Sequence, residues 1–63
     1  MKRQEVAAYL RRRGCEFDRE GTRHTRYINR ATGDFSYLPR HQEVPNRLVR
    51  VICRQLGIPH PWE

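Results

Sequence analysis

No apolar stretch in this 63-residue chain approaches the roughly 20 residues of a membrane-spanning helix, or the shorter apolar core of an export signal. Neither element is expected. Cysteine is scarce: Cys15 and Cys53 stand far apart, outside any Cys-x-x-Cys spacing. They read as reduced, partly buried small hydrophobes of a cytoplasmic chain rather than as a disulfide. Cys15, His24, His41, Cys53 and His60 are the only soft metal ligands, and no two have ligand spacing, so neither a metal nor another cofactor is expected. A glycine-rich phosphate loop, a Ser-His-Asp order and a catalytic pair of carboxylates are also missing. Lysine is nearly absent.

Thirteen Lys and Arg face seven Asp and Glu, so the formal charge is 13 − 7 = +6, and all the basic residues but Lys2 are arginine. Arginine favours planar, bidentate contacts to phosphate, and nucleic acid is the first partner to consider. The same composition also suits a small protein with a merely solvated arginine surface. A chain this short removes only roughly 60% of its unfolded surface from water, so one domain with a small core is expected.

Residues 2 to 13 lack Gly, Pro and Thr, and a 100° plot gathers Val6, Ala7, Tyr9 and Leu10 on one arc. This predicts an amphipathic helix that stops at Gly14. From Cys15 the period becomes two: Cys15, Phe17 and Arg19 alternate with Glu16, Asp18 and Glu20. Residues 24 to 29 and 34 to 38, rich in Thr, Tyr, Ile and Phe, predict two further strands of an antiparallel meander. A three-residue loop of Gly21, Thr22 and Arg23 would pair Phe17 with Tyr27 on one face, and Asp18 with Arg26 and Glu20 with His24 on the other. A two-residue loop would instead put Arg26 beside Phe17 against the core, an unpaired charge. The longer loop is therefore expected.

Pro39 to Pro45 reads as a loop and Asn46 as an N-cap. The helix that follows gathers Leu48, Val49, Ile52, Cys53 and Leu56 on one arc, with Arg47, Arg50 and Arg54 opposite, and closes at Gly57. Residues 59 to 63 form an extended tail. The order is α-β-β-β-α: an α+β domain with both helices on one face of a three-stranded antiparallel sheet and the other face open.

Histidine among arginines is the remaining chemistry. Imidazole accepts a proton near neutral pH, and RNA supplies its own nucleophile in the 2′-hydroxyl. His24 beside Arg23 and Arg26 meets that minimum, as would an ordinary surface histidine in a hairpin.

Gly21-Thr22-Arg23-His24, then Leu38-Pro39-Arg40-His41, then Leu48 to Ile58 closely resemble the HicA toxins of HicA/HicB toxin-antitoxin systems, in order, spacing and total length. The resemblance runs over nearly the whole chain, read as one domain of residues 1–63. It implies a double-stranded-RNA-binding-like fold, a ribosome-independent mRNA interferase activity, and a HicB-like antitoxin as partner. It also implies that His24, closing the Gly-Ser-x-His type motif, is the catalytic general base. Thr22 replaces the usual Ser and keeps the hydroxyl.

On this reading the chain is a metal-independent endoribonuclease that binds RNA at Gly21, Thr22, Arg23 and Arg26, with Arg40, His41, Arg47 and Arg50 as further phosphate contacts. His41 is a competing proton donor, or belongs to a loop that positions phosphate or packs against the helices. Arg47, Arg50 and Arg54 form a phosphate stripe or a solvated helix face. Val51 and Trp62 are candidates for a partner surface. The rival functions are a non-catalytic RNA-binding module and a basic protein made to meet an acidic partner.

Overall fold

The computed structural model describes residues 1–62. Its elements run α1 (Arg3–Arg12), β1 (Cys15–Glu20), β2 (His24–Asn29), β3 (Phe35–Pro39) and α2 (Asn46–Leu56). The strands form one antiparallel sheet in the order β1-β2-β3. α1 lies against β1 and β3, and α2 against β3. The expected α-β-β-β-α order and the one-sided helix layer are both present.

Alternation sorts β2 and β3 into two faces. Thr25, Tyr27, Asn29, Ser36 and Leu38 are buried toward the helices, whereas His24, Arg26, Ile28, Phe35 and Tyr37 take the alternate positions on the open side. The core is completed by Val6, Ala7 and Leu10 of α1, by Cys15, and by Val49, Ile52, Cys53 and Leu56 of α2. Val44 joins them from the loop before α2. It is fixed there because Met1–Arg3 pairs with 42–44: Arg3 N–H donates to Gln42 O (2.8 Å) and Val44 N–H to Met1 O (2.8 Å).

The helix ends follow local rules, with one correction. Gly14 (φ +88°) lies just past α1, and Gly57 (φ +73°) ends α2 in the left-handed conformation that lacks a Cβ penalty. Asn46 is not the N-cap of α2. Pro45 holds that position and Asn46 is the first helical residue, because proline's fixed φ suits the entry to a helix. Lys2 N–H, at the start of α1, donates to Glu5 Oε1 (2.9 Å).

The tail has no regular structure, but it is packed rather than loose. Tyr9 Oη donates to Pro59 O (2.5 Å), Trp62 lies against the core, and the Arg50 guanidinium stands 5.9 Å from the centroid of the Trp62 ring. Trp62 is thus partly covered, while Val51 on α2 stays exposed. Glu63, the last residue of the expected tail, lies outside the described residues.

Asn29 ties the sheet to α2. Its buried side chain donates to Leu56 O (2.8 Å), one of the carbonyls a helix end leaves without an intrahelical partner, and accepts from Ala31 N–H (3.0 Å). Asn29→Ala would strand that buried carbonyl at a cost of ~1–3 kcal/mol. In a domain of this size the melting temperature should then fall by roughly 5–20 °C, and a thermal melt with an unchanged midpoint would refute the role given to Asn29. Cys15 and Cys53 are both buried free thiols. Burial raises both their pKa values, and that of Cys53 is raised further by Cys15. Iodoacetamide at neutral pH should therefore alkylate them slowly in the native protein and quickly in denaturant; equal rates, followed by mass spectrometry, would contradict the packing.

Candidate nucleic-acid interface and active site

The first hairpin keeps the expected pairing of Phe17 with Tyr27 but differs from there to the turn: Arg26 opposes Arg19 rather than Asp18. Beyond the turn the partners are Glu20↔Thr25 and Arg19↔Arg26, then Phe17↔Tyr27, Glu16↔Ile28 and Cys15↔Asn29. The register shifts between Phe17 and Arg19, so Asp18 is the extra residue of a β-bulge. The turn itself closes at Gly21 and His24, where Gly21 N–H donates to His24 O (2.8 Å), with Thr22 and Arg23 at the tip. The expected three-residue loop is replaced by this tighter turn plus the bulge. The combination meets the constraint that argued for the longer loop: Phe17 still opposes Tyr27, and Arg26 stays off the core.

Two side chains change face as a result. Arg19, expected to share a face with Cys15 and Phe17, opposes Arg26 on the open side. Glu20, expected beside His24, opposes Thr25 instead and accepts a hydrogen bond from its hydroxyl (3.1 Å). Phe17 is no core residue either: on the edge strand it remains 54% exposed, although its partner Tyr27 is buried.

Asp18 makes the bulge chemically useful. Its Oδ2 stands 3.0 Å from Arg26 Nε, off the line of a hydrogen bond, while the guanidinium carbon of Arg26 lies 3.8 Å from the centroid of the Phe35 ring. Arg26 is therefore mostly buried, neutralised on one side and stacked on the other. It supports the open face more than it reaches out from it.

His24 opens β2 and is exposed. Its ring meets Tyr37 in a T-shaped contact, with centroids 6.3 Å apart and planes at 72°. Arg19, Glu20, Gly21, Thr22, Arg23, His24, Arg26 and Tyr37 line a concavity of about 350 Å³. Gly21, Thr22, Arg23, His24 and Arg26 are thus brought together as the sequence predicts, and Arg19 and Tyr37 join them. Sequence reasoning missed both. Arg19 is hidden by the bulge, which no residue type announces; Tyr37 carried the signal of a polar-tipped aromatic two residues from Phe35 on the same face.

Gly21 is glycine for space, since its φ is not in the left-handed region. A Cβ there would stand 3.0 Å from His24 O, closer than packed atoms tolerate. A side chain at position 21 would push on the backbone that carries the histidine.

Arg40 reaches back to this turn. Its guanidinium pairs with the Glu20 carboxylate and donates to Gly21 O. From α1, Arg3 donates to Thr25 Oγ1 (2.7 Å) and Pro39 O (3.0 Å). The network Arg3–Thr25–Glu20–Arg40 braces the turn from the helix side, so Arg40 occupies its charge within the fold. His41 follows in an exposed loop and is not in the lining of the concavity.

Arg47 and Arg50 are exposed on α2, whose buried residues face the other side of the sheet. The structure does not bring them together with His24. Among the described residues no three His, Cys, Asp or Glu side chains are grouped to hold a metal, and no helix is long and apolar enough to cross a membrane.

Among curated proteins and among solved structures, nothing matches this chain. A family model described as the HicA toxin of bacterial toxin-antitoxin systems matches residues 3–58, which takes in the whole sheet, both helices and every residue of the concavity. The chain is a member of the HicA toxin family.

Proposed function

We propose that this toxin acts by cutting RNA, with His24 as general base. The observation that carries the reading is an exposed imidazole at the wall of a concavity that also holds Arg19 and Arg23. Neither arginine has an ion-pair partner among the described residues, so both charges are available to an external phosphate. By contrast, the acids of β1 are matched: Glu16 with Arg30, Asp18 with Arg26 and Glu20 with Arg40.

In the proposed reaction His24 takes the proton of a ribose 2′-hydroxyl, and the freed oxygen attacks the adjacent phosphorus. Arg23 and Arg19 stabilise the charge that builds on the phosphate oxygens. The bond from phosphorus to the 5′-oxygen breaks, that oxygen takes a proton from solvent, and the products are a 2′,3′-cyclic phosphate and a 5′-hydroxyl. Thr22 and Gly21 shape the turn that sets the position of the imidazole. Arg26 holds the open face behind the phosphate, and Arg40 holds the turn. His41, Arg47 and Arg50 would serve as outer contacts to a longer RNA. Membership of a toxin-antitoxin family implies an antitoxin. On this reading it is HicB-like, meets the arginines with acidic groups, and acts in the cytoplasm, where mRNA is the substrate.

General base catalysis is typically worth 10² to 10⁴ in rate, roughly 3–5 kcal/mol of barrier. His24→Ala should therefore remove detectable cleavage of single-stranded RNA while the thermal midpoint stays near that of the parent, because the imidazole is exposed. His41→Ala should retain cleavage. A dead His41→Ala together with a fully active His24→Ala would reverse the assignment, and intact RNA with the unaltered protein would leave a non-catalytic RNA-binding module.

The general-base chemistry assigned to His24 is written without a metal. Cleavage should continue in excess EDTA and leave cyclic phosphate ends. Activity lost in EDTA and restored by magnesium would count against a histidine-based mechanism.

A further inference from the structure

The open face carries a second feature that phosphate binding leaves unused. Tyr37 is 48% exposed and Phe35 44% exposed, two large rings side by side on the open face. The two rings meet at 6.0 Å with planes at 80°, and His24 meets Tyr37 from the other side at 72°. Both contacts are T-shaped, so neither neighbour lies flat on the Tyr37 ring. Phe35 is different, since the Arg26 guanidinium already covers it at 3.8 Å.

Tyr37 is also the one aromatic ring other than His24 in the lining of the concavity, beside Arg19 and Arg23. The Tyr37 ring centroid is 6.3 Å from that of His24, so a ligand whose phosphate is held by those arginines and whose sugar hydroxyl meets His24 can lay its base against this ring. An aromatic face near cationic side chains suits a nucleobase attached to phosphate, because every base has a π-face and stacking tolerates sequence. An acidic protein segment would use the arginines and gain little from the ring.

We propose that Tyr37 is a stacking platform for an unpaired base next to the bond that is cut, which makes it a positioning residue and selects single-stranded over duplex RNA. The inference rests on the ribonuclease reading for the word "cut", but not for the binding itself. A base held in a duplex is already stacked on both sides and has no face to offer. The substrate class is therefore RNA with splayed bases: single strands, loops and ends.

Binding separates this proposal from the catalytic one. A 2′-O-methyl RNA 12-mer has no 2′-hydroxyl to attack, so its affinity is measured by fluorescence anisotropy whether or not the protein is a nuclease. Tyr37→Ala should weaken binding by roughly 5- to 150-fold, the range of a lost base–aromatic stack, and Tyr37→Phe should restore most of it. An otherwise identical abasic oligonucleotide should bind Tyr37→Ala and the parent alike, and a duplex should bind both weakly. Circular dichroism and melting of the two variants show whether the half-exposed ring was needed for folding; if Tyr37→Ala unfolds, the parent and Tyr37→Phe should each still bind the base-bearing strand more tightly than the abasic one, and no difference between the two strands overturns the proposal. Equal loss on abasic and base-bearing strands overturns it too, as does failure of the Phe variant to rescue. If Tyr37→Ala keeps RNA affinity but loses a co-expressed antitoxin, the ring is a protein contact and the proposal is wrong. Normal Tyr37 dependence in a protein that cuts no RNA would leave the platform in place and remove the nuclease reading alone.

Discussion

Arg26 is a mostly buried cation in a sheet that has only one covered face, and the hairpin is arranged so that a carboxylate stands beside it. Were Asp18 paired regularly rather than bulged, a turn closed at Gly21 and His24 would set Phe17 opposite Ile28 and put Cys15 and Arg26 on the same face, so that either the cysteine would leave the core or the cation would enter it. The bulge shifts the register by one, and the carboxylate of the bulged residue itself comes to 3.0 Å from Arg26 Nε. A buried charge stripped of its partner is costly in proportion to its desolvation, so the bulge, the ion pair and the stack on Phe35 stand or fall together. From that constraint follow the direction of Arg19, the direction of Glu20 and hence the make-up of the concavity.

The sequence displayed the architecture well, because the signals that set it are periodic. Apolar spacing in α1 and α2, the alternating strands and the glycines at 14 and 57 each act locally and repeat the same message. Asn46 misled because asparagine favours a cap over a helical position, whereas here the backbone of Pro45 already takes the cap place and its carbonyl accepts from Val49 N–H. Phe17 misled for a different reason: alternation assigns a face, but it does not say whether a helix reaches an edge strand. The bulge was hidden in principle, since an extra residue is a fact of pairing between two strands and leaves no mark in either strand alone. His24 and the residues of its turn lie together all the same, because the tip of a hairpin is close to both strands whatever the register beyond it.

Twelve arginines look equivalent in a sequence, and the fold divides them. Arg3, Arg26, Arg30 and Arg40 are engaged with oxygens of the protein. Arg12 and Arg50 lie near aromatic rings. Arg19 and Arg23 remain at the concavity with no carboxylate partner among the described residues. Net charge thus overstates the cationic surface available in any one spot, and the three acids of β1, by occupying Arg26, Arg30 and Arg40, leave the local excess concentrated near the turn.

The single-sided helix layer has a bearing on inhibition. His24 and Tyr37 look out from one side of the sheet, whereas Arg47, Arg50 and Arg54 look out from the far side of α2. A partner that caps the first surface occludes the histidine without discharging the second. Occlusion and neutralisation are therefore separate events in this molecule, and a silenced complex would keep a cationic back on which a polyanion can still settle.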